Sequence, residues 1–142
     1  RLLTRARGLA DMCSGDLTIV SCWEYEFENF LLHNAWNSFS PPQVKDVVAA
    51  EEADHFEALS AVIRESGIQG DFTIRHVRGE PDRAIPEVLD EDGIDILVMG
   101  TVARTGIPGF IIGNTAENVL RRLGCSLVAL KPPGFVSPVK LS

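Results

Sequence analysis

The 142 residues carry 13 Lys and Arg against 20 Asp and Glu, a net charge of −7, with 45% apolar content. A chain of this size builds one domain with a sizeable core, and its acidic balance argues against nucleic acid, whose affinity rests on Lys and Arg meeting phosphates. No apolar run approaches the roughly 20 residues of a membrane-spanning helix and no signal peptide is visible, so the expectation is a cytoplasmic domain.

Residues 1–14 read as a helix already under way, with Leu2, Leu3, Ala6, Leu9, Ala10 and Cys13 at helical spacing and Gly15 as its stop. A helix that starts at the first residue without a cap suggests a missing upstream segment. Residues 17–23 (LTIVSCW) follow as a strand rich in β-branched residues. Residues 24–40 then collect Tyr25, Phe27, Phe30, Trp36 and Phe39 where an α/β domain needs only a short connection. Two readings stay open: an extra helix folding its rings onto the domain edge, or an apolar lid or ligand pocket. His33 in this segment has no second ligand at metal spacing.

Ser40 and Pro41 predict a helix start and Gly67 its end. Val44, Val47, Val48, Leu59, Val62 and Ile63 are its expected inward face. Glu51, Glu52, Asp54, His55 and Glu57 read as a solvated acidic patch, with no metal expected. Residues 72–78 form the next strand, in which His76 is expected as a buried, hydrogen-bonded histidine. A turn at Gly79 leads to a short helix that Pro86 should limit or kink. The cysteines, Cys13, Cys22 and Cys125, stand singly in apolar contexts and read as buried reduced thiols.

Residues 94–131 hold the densest signal. Residues 94–99 are an apolar run without alternation, as in a parallel strand buried on both faces. A glycine-spaced loop runs from Gly100 to Gly113. Asn114 opens a helix with Glu117 three residues on, a capping-box spacing, and Gly124 is the expected left-handed cap. Residues 126–130 are a last apolar strand, stopped by Pro132 and Pro133. Strand, glycine loop and helix start together suit an anion, because the first N–H groups of a helix lack partners and glycine allows close approach. An ordinary crossover between strand and helix is the plainer alternative.

These residues resemble the universal stress protein family. Its nucleotide-binding members carry a glycine, two residues, a second glycine, nine residues, then glycine followed by Ser, Thr or Asn. Gly100 and the pair Gly113–Asn114 fit that spacing, and Ala103 replaces the second glycine. The wording of residues 98–120, VMGTVARTGIPGFIIGNTAENVL, is most similar to the second half of the family's tandem-domain E type. Residues 76–85 (HVRGEPDRAI) extend the likeness more weakly.

The resemblance implies an α/β fold of three layers, α/β/α, with a five-stranded parallel sheet in the order 3-2-1-4-5, like the adenine nucleotide alpha hydrolases. The first, central strand is absent from this chain, and with it the family's adenine-contacting aspartate. A domain over 1–133, incomplete at its N-terminus, would precede a tail over 134–142. The resemblance further implies ATP, with nucleotide-bound Mg and no other metal. Met99, Gly100 and Ala103 would line the ribose and phosphate side, Arg104 would add charge, and Gly113, Asn114 and Thr115 would hold phosphates. Cys22 or Trp23 would approach the base. No base, nucleophile or metal cage for fast hydrolysis is evident, so a regulatory or sensing module is expected rather than an enzyme. Residues 126–131 would pair with a second such domain. The rival reading is a diverged module that binds a partner or a small apolar ligand through residues 24–40.

Overall fold

The computed structural model describes residues 1–25, 28, 31, 40–101, 114–131 and 134. Its elements in chain order are α1 (Leu2–Cys13), β1 (Thr18–Trp23), α2 (Pro41–Ser66), β2 (Thr73–Arg78), α3 (Pro81–Glu91), β3 (Ile96–Gly100), α4 (Asn114–Leu120) and β4 (Ser126–Leu130). Most of the aromatic segment, His33 included, lies outside the described residues, as do Ala103, Arg104 and Gly113.

The strands form two parallel pairs. β1 lies beside β2, with Thr18 opposite Thr73 and Trp23 opposite Arg78. β3 lies beside β4, with Ile96 opposite Ser126 and Gly100 opposite Leu130. Parallel neighbours need a crossover, and helices supply it. α3 packs on β1, β2 and α4, while α1 touches both α2 and β3.

The period of two along β1 and β2 divides their side chains between two faces. Leu17, Ile19 and Ile63 form one buried cluster, closed by Leu3, Ala6 and Ala10 of α1 and by Leu59, Phe72 and Ile74. Trp23, Val44 and Val48 form a second, joined by Tyr25 and Leu31. On the opposite face Arg75 reaches the end of α3, pairing with Glu91 at 2.6 Å and with Asp92.

The caps of α2 are legible in its sequence. Gln43 Oε1 accepts from the Ser40 N–H at 2.7 Å and from its hydroxyl at 2.9 Å, and Pro41 begins the helix. Gly67 ends it at φ 65° with its N–H donating to the Arg64 carbonyl. That φ favours glycine, which has no Cβ to clash.

Several expectations need correction. Val62 is 55% exposed because α2 turns its first and last turns inward, through Val44, Val48 and Ile63, and not this position. Ser14 at φ 53°, not Gly15, is the left-handed residue that closes α1. Gly124 is not in the left-handed region: α4 already stops at Leu120, and a turn with Arg122 N–H on the Val119 carbonyl follows. That short helix buries Ala116 and Val119. Glu117 pairs with Arg121 at 2.9 Å, one turn along. α3 runs through Pro86, held by its buried Ala84, Val88 and Leu89. Cys13 is exposed at the end of α1, and Cys22 and Cys125 are half-buried.

Candidate functional site

In each pair of parallel strands the carboxyl ends lie together, where ligands of such sheets collect. The two ends differ. At the end of β1 and β2, Trp23 is 4% exposed. Its ring stacks on His76 with centroids 6.0 Å apart and planes at 12°, and Phe56 meets His76 edge-on at 5.4 Å. The register brings Arg78 level with Trp23, and its guanidinium lies 5.4 Å from the ring centroid while pairing with Glu28. A cation over an aromatic face is attracted by the ring's quadrupole. Gly79 N–H then donates to the Trp23 carbonyl at 2.9 Å, with Gly79 at φ 135°. Side chains and backbone close this end.

His76 departs from expectation here. It is enclosed, yet neither ring nitrogen has a hydrogen-bond partner among the described residues. Aromatic neighbours fill the space where polar partners would stand. Cys22 precedes Trp23 and points to the opposite face, and burial pushes its thiol pKa up.

At the end of β3 and β4 the pairing finishes with Gly100 opposite Leu130, and Thr101 N–H donates to the Leu130 carbonyl at 3.3 Å. Met99 is half-buried and Gly100 exposed. Among the described residues a Cβ placed on Gly100 would meet no atom within 4 Å, and its φ lies outside the left-handed region. The glycine is therefore not demanded by its backbone, nor by a close neighbour among the described residues. α4 begins at Asn114, and Thr115 in its first turn is exposed. Asn118 Nδ2 lies 3.4 Å from Asp82 Oδ2, tying α4 to α3.

Thr101 is a residue that sequence reasoning missed. It is 3% exposed, and its Oγ1 is shielded without a hydrogen-bond partner among the described residues. Leaving a buried hydroxyl unpaired costs roughly 1–3 kcal/mol. Its only sequence signal is a Thr directly after an apolar strand. The structure thus brings Met99, Gly100 and Thr101 together at one strand end, whereas Cys22 and Trp23 belong to the end of the other pair.

Residues 1–131 match the model of the universal stress protein family. This chain belongs to that family. It is 36% identical over 104 residues to universal stress protein E of Escherichia coli, a match covering 72% of this chain and 31% of that protein. This chain thus spans less than a third of its curated relative, as a match to one part of a tandem protein would. Among solved structures, a functionally unknown protein of Pseudomonas aeruginosa, PA1789, superposes with a TM-score of 0.64 at 29% identity, covering 92% of this chain and 39% of its own. A universal stress protein in complex with cAMP superposes with a TM-score of 0.53 at 24% identity, covering 92% of this chain and 85% of its own. These likenesses support the α/β fold, of which the described residues carry two parallel strand pairs and their helices.

Proposed function

We propose that this universal stress protein domain binds an adenine nucleotide, ATP, at the carboxyl end of β3, and acts as a regulatory or sensing module of the stress response rather than as a catalyst. The observation that carries this reading is Gly100 at the end of β3, a glycine that neither its backbone nor any neighbour among the described residues requires. A nucleotide laid against that glycine would meet backbone without a side chain. Family membership adds weight, as does the relative described in complex with cAMP.

In this reading Met99 and Gly100 line the ribose side, Ala103 and Arg104 follow in the loop, and Gly113, Asn114 and Thr115 hold phosphates. Mg enters only with the nucleotide. Cys22 and Trp23 contribute only the backbone end of β1 toward the base, the Trp23 ring itself being packed against Val44 and Val48. Among the described residues β1 and β3 each have one paired neighbour. A fifth strand between them, in the order 3-2-1-4-5 within three layers, would satisfy both free edges, since an open edge leaves N–H and C=O groups unpaired. Residues 126–131 are the proposed contact with a second domain of the same kind, residues 134–142 the tail beyond the domain, and the cytoplasm the proposed compartment.

Calorimetric titration of ATP into the full protein tests the reading. Saturable binding of one nucleotide per chain is expected. No heat up to millimolar ATP would overturn it and favour the rival, a module for a protein partner or small apolar ligand built on residues 24–40.

A further inference from the structure

His76 is the enclosed titratable group that the nucleotide reading leaves unused. It stands diagonal to Trp23 on the same face, since the register sets Ser21 opposite His76 and Trp23 opposite Arg78. Both ring nitrogens are shielded from solvent, and neither has a hydrogen-bond partner among the described residues. The Trp23 ring stacks on the imidazole from β1, and Phe56 meets it edge-on from α2. The imidazole thus joins β1, β2 and α2 by ring contacts alone.

The charges around the ring decide what a proton would do there. On β2, Arg78 follows two residues along on the same face, about 7 Å away at strand spacing. Its guanidinium already lies 5.4 Å from the Trp23 centroid and pairs with Glu28. Arg75 is on the opposite face with Glu91 and Asp92. β1 adds Cys22, which also points to the opposite face. From α2, His55 lies 6.4 Å from the Trp23 centroid and 3.6 Å from Glu51, and Glu52 stands exposed one turn before Phe56. Each of these carboxylates is engaged elsewhere or turned to solvent. An aromatic face attracts a cation, but Arg78 already occupies that of Trp23, and a second positive charge beside it is repelled.

We propose that His76 is a pH-sensitive latch: when it takes up a proton, the ring stack that holds α2 against the end of β1 and β2 loses stability. The device gives the domain a response to acidification that needs no bound ligand, and it does not depend on the nucleotide reading. An ionised group enclosed without an acceptor costs far more than a neutral one, whereas the unfolded chain hydrates it freely. Histidine ordinarily titrates near pH 6.5. Above about pH 7 neither state binds this proton, and the stack contributes fully. Below about pH 6.5 the unfolded state binds more protons than the folded one, so stability falls as pH falls.

Urea unfolding of the full protein between pH 7 and pH 5 tests this, with His76→Met beside the parent. Methionine does not titrate, and its flexible thioether packs well against rings. The unfolding equilibrium constant of the parent should rise about tenfold more than that of His76→Met across this range, the size of one linked proton. His33→Gln and His55→Gln should keep the parent's drop in stability. Equal pH dependence in the parent and His76→Met would overturn the proposal, as would its loss in His55→Gln alone. Proton NMR of the imidazole ring serves where the Met variant does not fold, with the His76 signal assigned in a variant that carries both His33→Gln and His55→Gln. A His76 signal that titrates near pH 6.5 in a chain that stays folded and equally stable would overturn it too. A signal that keeps its position until the chain unfolds supports the latch.

Discussion

The two parallel strand pairs share a topology, each joined by a helical crossover, yet their carboxyl ends are put to different uses. The end of β1 and β2 is filled: Trp23, His76, Phe56 and Arg78 stack against one another, and Gly79 ties its N–H to the Trp23 carbonyl. At the end of β3 and β4, among the described residues, no atom lies within 4 Å of a Cβ on Gly100, and the buried Thr101 hydroxyl has no partner. Aromatic rings can close a strand end at the expense of unpaired polar atoms such as those of His76, because dispersion and apolar burial outweigh them. The same sheet type thus offers packing at one end and recognition at the other.

Trp23→Ala should break the closed end most severely. Removing a buried tryptophan costs about 3–5 kcal/mol, readable as an earlier midpoint in urea unfolding. Trp23→Phe sharpens the comparison: it should lose part of that stability and leave ATP affinity unchanged. A stable Phe variant that no longer binds ATP would mean that the ring serves the ligand, and that the two ends are not separate.

The next effect concerns the far side of the β3 and β4 pair. Val128 is 36% exposed on β4, an apolar strand with no Lys or Pro within it. If residues 126–131 meet a second domain, Val128→Lys would bury an unpaired charge there and convert a dimer into monomers in light scattering. An unmutated protein that runs as a single-domain monomer, or a dimer untouched by the change, would contradict the contact.

Much of the fold was legible because local chemistry decided it. Ser40, Pro41 and Gly67 bound α2 as their types predict, and the apolar runs of β3 and β4 form a parallel pair. The expected burial on both faces is not met: no residue of either strand is buried among the described residues, and Ile96 and Val128 are exposed. What the sequence could not show was set by contacts between distant residues. Helical spacing placed Val62 inward, but the buried positions of α2 are Val44, Val48 and Ile63, and Val62 is exposed. His76 read as a satisfied histidine because nothing in its own strand reveals that its neighbours are Trp23 and Phe56. At the site, Gly100 stood out by its spacing. Thr101 did not, since an unpaired hydroxyl is a property of surroundings and not of residue type.

The claim that the end of β3 is a nucleotide site meets its most direct test in Gly100→Ala, titrated with ATP beside the parent protein. The added methyl group meets no atom of the described residues within 4 Å and the backbone accepts it, so unfolding should be unchanged. Only a ligand lying against that backbone would feel it, through the close contact it obstructs. The account predicts parental stability with ATP affinity reduced about tenfold or more, roughly 1.4 kcal/mol. Parental stability with parental ATP affinity would contradict it.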